Sequence, residues 1–306
     1  MTGSTGRVRC EVDLHLHTVA SDGDETPVEL ASRCVEAGLR VVAVTDHDSL
    51  DSVTVFTRAA GSALTVVPAC EVSTRWLGEE AHCLGYWLSE KDTTFVARVR
   101  RIHDGELAWW REWVESVARV GVPLDWTDVV EQIGDDRVAS PGDYIGLVLA
   151  KAGEDERFRG YSTASTSGFV ADWCAPGRPL HRPAPWAPDL VEAIGWITDA
   201  GGVAVLAHPA RLLGDVNYWE HQLRILRREG LCGVEVWTTW HTPQESARLA
   251  ELCAALDLVP TVGSDYHGVR VKPWATGPGL VPAAPEHPEA IVSALHERRS
   301  GWNGAR

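Results

Sequence analysis

Residues 40–48 read Arg40-Val41-Val42-Ala43-Val44-Thr45-Asp46-His47-Asp48, an apolar run that ends abruptly in charge and imidazole. A run without apolar–polar alternation fits a strand buried on both faces, as in a parallel sheet covered by helices. Upstream, Cys10–Leu16 reads as a short strand, and Thr26-Pro27-Val28-Glu29-Leu30 opens a helix with proline in its first turn. Downstream, a helix is expected from about Asp51 to Ala60, then strands at Leu64–Ala69 and His82–Trp87. The same alternation returns late in the chain. Strands at Val203–Ala207, Gly233–Trp237 and Val259–Gly263 are separated by helices near Val216–Glu229 and Gln244–Leu256. A helix at about Pro188–Ala200 leads in, and Pro288–Arg299 closes the chain. Repeated strand–helix units of this kind predict an α/β fold with a largely parallel sheet.

The middle of the chain breaks the pattern. Phe95, Val99, Ile102, Trp109, Trp113 and Val117 recur at helical spacing and predict one long amphipathic helix. Glycine, serine and proline then cluster between Ser162 and Pro188. Seven of the 14 tryptophans fall from Trp87 to Pro188, so residues 88–188 read as an inserted, mainly helical cap between barrel segments 1–87 and 189–306. An insertion entering and leaving at the ligand edge would roof the pocket and set substrate choice.

At 306 residues the chain can bury a large core without help from disulfides or metals. The net charge of −15 argues against a binder of long nucleic acid, whose affinity would come from released counterions. Seven cysteines without paired spacing disfavour both a disulfide framework and a thiolate zinc site, and suit a reducing, cytoplasmic setting. No leader peptide and no membrane span are read from the sequence.

Each barrel strand is followed by residues able to bind metal. The first gives Asp13-Leu14-His15-Leu16-His17-Thr18, whose imidazoles, two apart on a strand, share one face. Ser21-Asp22-Gly23 follows. The second strand ends in Thr45-Asp46-His47-Asp48, the third in Glu71, and the fourth opens with His82. Later come Ala207-His208-Pro209 and Gly263-Ser264-Asp265-Tyr266-His267-Gly268. Singly, each has an ordinary reading as a turn, a helix cap or a packed histidine. Together, six of the twelve histidines gather at strand ends with Asp22, Glu71 and Asp265. Burying so many ionisable groups is costly unless cations neutralise them. Nine ligands exceed one tetrahedral site but suit two or three divalent ions sharing a carboxylate.

The motifs DLHLHT, SDG followed by TPVEL, TDHD, the Glu71 and His82 pair, GGVAVLAHPAR and GSDYHG together resemble the PHP (polymerase and histidinol phosphatase) family. Within it, the bacterial stand-alone phosphoesterases acting on nucleotide phosphates are most similar. The resemblance covers residues 10–88 and about 190–270. It implies a distorted seven-stranded (β/α) barrel and a centre of manganese, iron or zinc. The first ion would be held by His15, His17, Glu71 and Asp265. Glu71 would bridge to a second, held with His82 and His208, and Asp22, His47 and His267 would hold a third. Asp13, Asp46 and Ser264 would orient the imidazoles from behind.

The resemblance further implies hydrolysis of a phosphate monoester, of a nucleoside monophosphate or similar small phosphate, by hydroxide held between metals. Asp265 and His208 would be essential to catalysis. His241 is a candidate proton donor or phosphate ligand, and Arg211 a candidate phosphate fork. Relatives tend to carry an Arg-x-His element in the insertion, where this chain has Gly142-Asp143-Tyr144, leaving Arg137 as the nearest substitute. The alternatives are a 5′–3′ exonuclease on short oligonucleotides and a PHP-like module that binds metal or nucleotide without turnover. An amidohydrolase with a carboxylated lysine is disfavoured because Lys91, Lys151 and Lys272 lie away from the predicted strand ends.

Overall fold

The computed structural model describes residues 6–303, apart from 164, 214 and 215. Ten strands are present among the described residues: β1 (Val8–Arg9), β2 (Val12–Leu16), β3 (Val41–Val44), β4 (Thr65–Val66), β5 (Ala69–Trp76), β6 (Glu79–Tyr86), β7 (Val203–Leu206), β8 (Gly233–Trp237), β9 (Val259–Val262) and β10 (Leu280–Val281). β2, β3 and β4 run parallel in one sheet. A second sheet runs β5-β6-β7-β8-β9, antiparallel across β6 and parallel from β7 to β9. β1 and β10 form a small antiparallel pair.

Backbone bridges join the two larger sheets at their functional edge. Leu16 pairs with Tyr266 beyond β9, and His47 pairs with Glu71 in β5. The His17 N–H donates to the Tyr266 carbonyl and the Asp265 N–H to the His15 carbonyl. The segments bearing DLHLHT, TDHD, Glu71 and GSDYHG are thus tied by main-chain bonds before any side chain is considered.

The helices follow their sequence signals. Thr26 and Glu29 form a reciprocal capping box at the start of Pro27–Glu36, and Thr242 with Glu245 repeats it at Pro243–Leu256. The core between strands and helices includes Val12, Leu14, Ala43, Leu84, Tyr86, Val205 and Val262.

Two expectations are corrected. The run Leu64–Ala69 is not one strand, because Pro68 cannot donate to a ladder and separates β4 from β5. Glu71 therefore does not end a third parallel strand; it is the third residue of an antiparallel hairpin that turns at Leu77-Gly78. On the amphipathic helix Thr93–Arg119, Trp113 is fully buried as expected and Trp110 is buried beside it, whereas Trp109 is only partly buried.

The chain divides into two compact units. One holds the residues up to Arg100 with those from Ala187 onward; the other holds Arg101–Trp186, within the insertion expected at 88–188. The second unit is helical and has its own core of Trp110, Trp113, Val117, Tyr144, Val148 and Phe169. Trp110 stacks on Tyr144 with ring centres 3.8 Å apart.

Candidate metal centre

Glu71 is fully buried, and imidazoles surround both of its carboxylate oxygens. Oε2 lies 2.9 Å from His15 Nε2, 3.0 Å from His17 Nε2 and 3.5 Å from His47 Nε2. Oε1 lies 3.0 Å from His82 Nδ1 and 3.2 Å from His208 Nε2. The hairpin explains part of this arrangement: His82 faces Ser73 across the ladder, diagonal to Glu71.

Asp265 supplies the next carboxylate, with Oδ1 3.3 Å from His15 Nε2 and 3.5 Å from His17 Nε2. Asp22 Oδ1 lies 3.1 Å from His267 Nε2 and 3.5 Å from His17 Nδ1. The His17 and His267 rings stack at 3.8 Å. Three groupings of donor atoms emerge: His15 with His17, Glu71 and Asp265; His47 with Glu71 and His82; and His17 with Asp22, His47 and His267. The sequence expected His208 beside His82 and Glu71, and both imidazoles meet Glu71 Oε1. His47, expected only with Asp22 and His267, also lies near Glu71, on Oε2.

These residues fit divalent cations on three grounds. His17 Nε2, His47 Nδ1, His82 Nδ1, His267 Nε2 and Asp265 Oδ1 are buried without any hydrogen-bond partner, a state proteins avoid. The donor spacings suit atoms about 2.1 Å from a shared ion, which stand roughly 3 Å apart around it. The donors are imidazole and carboxylate without thiolate, a set favouring manganese, iron or zinc over calcium.

Burial and the neighbouring carboxylates divide the imidazoles of the centre, holding some neutral and others protonated when no cation competes with the proton. Burial would raise the Glu71 carboxyl, but the imidazoles of His15, His47 and His82 outweigh it and hold it well below the usual range. Burial pushes His47 and His208 down to about 3, so both present neutral lone pairs. Burial would likewise lower His82, but Glu71 and then Glu80 outweigh it and lift it to about 10.

The backbone pays for this convergence in strain. His208 (φ 26°) and Asp265 (φ 54°) both sit in the left-handed region that non-glycine residues avoid. Gly263 is needed for close approach, since a Cβ there would lie 2.3 Å from the His15 Cβ.

The residues behind the ligands differ from expectation. Asp13 accepts from the backbone of His15, Ser264 and Gly279 and from the Ser264 hydroxyl. Asp46 accepts from the Thr18 N–H and the hydroxyls of Thr18, Ser21 and Ser52. Neither carboxylate, nor Ser264, orients an imidazole; they pin the loops that carry the ligands. The orienting groups are Glu235, Glu80 and a carbonyl. Glu235 Oε1 holds His15 Nδ1 at 2.9 Å while Oε2 accepts the His208 N–H at 2.9 Å. Glu80 Oε1 lies 3.0 Å from His82 Nε2, and the Asp265 carbonyl accepts from His267 Nδ1.

Glu235 was missed by sequence reasoning, though it is a lone carboxylate inside the apolar strand GVEVW. His241 is buried between two backbone groups: Nδ1 donates to the Val236 carbonyl and Nε2 accepts the Ala210 N–H. It braces the turn after His208 and has no ring nitrogen free for a substrate proton. Arg211 stacks on Trp240, with 4.3 Å from guanidinium carbon to ring centre. Arg137 lies in the second unit, between helices Trp126–Gln132 and Pro141–Ala152. Lys272, set aside on sequence grounds, is brought to the centre, with Nζ 2.7 Å from Asp265 Oδ2.

Comparison with known proteins adds independent findings. The family model described as "PHP domain" matches residues 13–133. The 3′,5′-nucleoside bisphosphate phosphatase of Chromobacterium violaceum is 29% identical over 84% of this chain and 87% of its own length. A 5′-3′ exoribonuclease of Haemophilus influenzae is 27% identical, with 83% and 89% covered. The phosphoribosyl 1,2-cyclic phosphate 1,2-diphosphodiesterase of Eggerthella lenta is 30% identical, with 84% and 94% covered. A solved Bifidobacterium adolescentis structure, described as "a putative metal-dependent phosphoesterase", superimposes with a TM-score of 0.77 at 28% identity, covering 94% of this chain and 96% of the other.

Proposed function

Because this chain belongs to the PHP domain family of metal-dependent phosphoesterases, we propose that it hydrolyses a phosphate monoester of a nucleotide or similar small molecule at a cluster of two or three manganese, iron or zinc ions. The observation that carries this reading is Glu71, one buried carboxylate whose two oxygens are shared among five imidazoles. Such an arrangement suits a bridge between cations and has little purpose in a binding module that lacks them. The family's distorted barrel, with residues 88–188 inserted as a cap, is the architecture in which we place it.

His15, His17, Glu71 and Asp265 would hold one ion, Glu71 with His82 and His208 a second, and Asp22, His47 and His267 a third. When bound, such ions supply positive charge against the phosphoryl oxygens and make water acidic near neutral pH. The chain's part is positional. Glu235 fixes the tautomer of His15 so that Nε2 faces inward, and it anchors the strained His208 backbone. Asp13 and Asp46 lock the loops behind the ligands.

The exoribonuclease relative supports a second reading, cleavage of short oligonucleotides from the 5′ end. A single assay separates the two. Manganese-loaded protein is given nucleoside phosphates, sugar phosphates and a 5′-phosphorylated trinucleotide, and the products are resolved. Inorganic phosphate released from the small esters, with the trinucleotide chain intact, is expected. Mononucleotides released from the trinucleotide would support the exonuclease, and no product from any substrate would refute both.

A further inference from the structure

Two loops meet on one oxygen of Asp265. The chain after β9 reverses at Gly268 (φ 90°), where a Cβ would collide with the Asp24 carboxylate. Lys272 then returns to the centre, its N–H donating to the Gly268 carbonyl and its Nζ reaching Asp265 Oδ2 at 2.7 Å. The loop after β8 supplies the second donor. There the Thr239 hydroxyl donates to the Ser264 carbonyl at 2.9 Å, and the Trp240 Nε1–H donates to the same Asp265 Oδ2. Trp240 is itself held in place: the Arg211 guanidinium lies over its ring, Trp274 packs edge-on at 5.3 Å and His208 edge-on at 6.3 Å.

The two oxygens of Asp265 are therefore unequal. Oδ2 accepts one neutral and one charge-assisted hydrogen bond. Oδ1, 3.3 and 3.5 Å from the Nε2 atoms of His15 and His17, accepts none among the described residues, although the carboxylate is buried. A buried carboxylate serving only structure would spread its donors over both oxygens, because leaving one unsatisfied is costly. A need for counter-charge would explain Lys272, but not the neutral indole donor beside it on the same oxygen.

Resting on the metal-centre reading, we infer that Trp240 and Lys272 are positioning residues, which hold Asp265 by Oδ2 so that Oδ1 alone is presented to a cation. Groups that fix a ligating carboxylate set metal affinity although they never touch the metal. The same two bonds deny the cation the second oxygen, so Asp265 acts as a one-oxygen ligand. Neither residue is drawn to the site by the strand-end pattern; both arrive on loops that fold back onto Asp265.

The test compares wild type with three variants. Trp240→Phe keeps the ring and removes the donor, Lys272→Met keeps the stem and removes the charge, and Lys272→Arg keeps a cationic donor. Circular dichroism checks folding, and either Trp240→Phe or Lys272→Met decides if the other fails to fold. Metal affinity is read by competition with a chromophoric chelator and coordination by the visible spectrum of the cobalt-loaded protein, while kcat and KM are taken with a small aryl phosphate. Trp240→Phe and Lys272→Met should each bind manganese about 10–100-fold more weakly and alter the cobalt spectrum, and Lys272→Arg should recover most of the affinity. At saturating manganese, kcat should fall by a larger factor than KM rises. Wild-type affinity and spectrum in Trp240→Phe and Lys272→Met would overturn the assignment. So would a raised KM with unchanged metal binding in Lys272→Met, which would make the lysine a substrate contact. No metal bound by wild type would refute the metal centre itself. Metal bound without phosphate release would refute only the phosphoesterase reading, with the affinities still deciding the positioning role.

Discussion

Glu71 meets imidazoles on both oxygens rather than a lysine or arginine, so its charge is balanced only by groups that are themselves good metal ligands. Replacing it with glutamine keeps shape and volume but removes the bridging charge. Glu71→Gln is therefore expected to lose at least one equivalent of metal by elemental analysis and more than about 100-fold in phosphate release, with the circular dichroism spectrum unchanged. Glu235→Gln acts one step back, loosening His15 and the His208 main chain together. A loss of about 10–100-fold in metal affinity is expected, read by competition with a chromophoric chelator. Wild-type affinity in Glu235→Gln would mean that the ring of His15 is held by packing alone.

The nine positions offered as candidate ligands were visible in the sequence because residue type and strand-end location both show in a one-dimensional pattern, and the structure brings their donor atoms together. Sequence reading missed Glu235, which lies within a strand whose neighbours are apolar and whose purpose appears only when its side chain is seen between His15 of β2 and the His208 main chain after β7. It misjudged His241 because two backbone partners, contributed by Val236 and Ala210, cannot be read from spacing.

At the level of elements, the parallel strands were legible and the hairpin was not. The stretch from Leu64 to Ala69 looks like one apolar run, yet Pro68 splits it, and Ala69–Trp76 alternates with its partner across the turn at Leu77-Gly78. The hairpin carries Glu71 and His82, so the error touched how these two candidate ligands are placed. Close packing of β2 against the turn after β9 yields a prediction of its own. Gly263→Ala forces a methyl to 2.3 Å from the His15 Cβ. It is expected to cost about 1–3 kcal/mol, read from the denaturant midpoint, and to lower metal content as His15 is displaced. A variant as stable as wild type and fully loaded would show that this contact relaxes freely.

For the molecule as a whole, composition excluded more than it identified. A charge of −15 disfavours long nucleic acid but is silent on small anions, which meet local fields set by ligands, Arg211 and Lys272. The tryptophans of unit 101–186 are mostly structural: Trp110 and Trp113 lie in its core, and Trp109 donates to the Pro183 carbonyl. Trp113→Ala should cost about 3–5 kcal/mol within that unit, seen as faster hydrogen exchange across 101–186.

The proposed chemistry rests on Glu71 bridging divalent cations held by strand-end histidines. Anomalous diffraction at the manganese absorption edge, from crystals of the manganese-loaded protein, tests it most directly. At least two anomalous peaks flanking the Glu71 carboxylate are expected, one within ligand distance of His15, His17 and Asp265 and another within ligand distance of His82. Loaded crystals showing no peak beside Glu71, or a peak only at the surface, would contradict it.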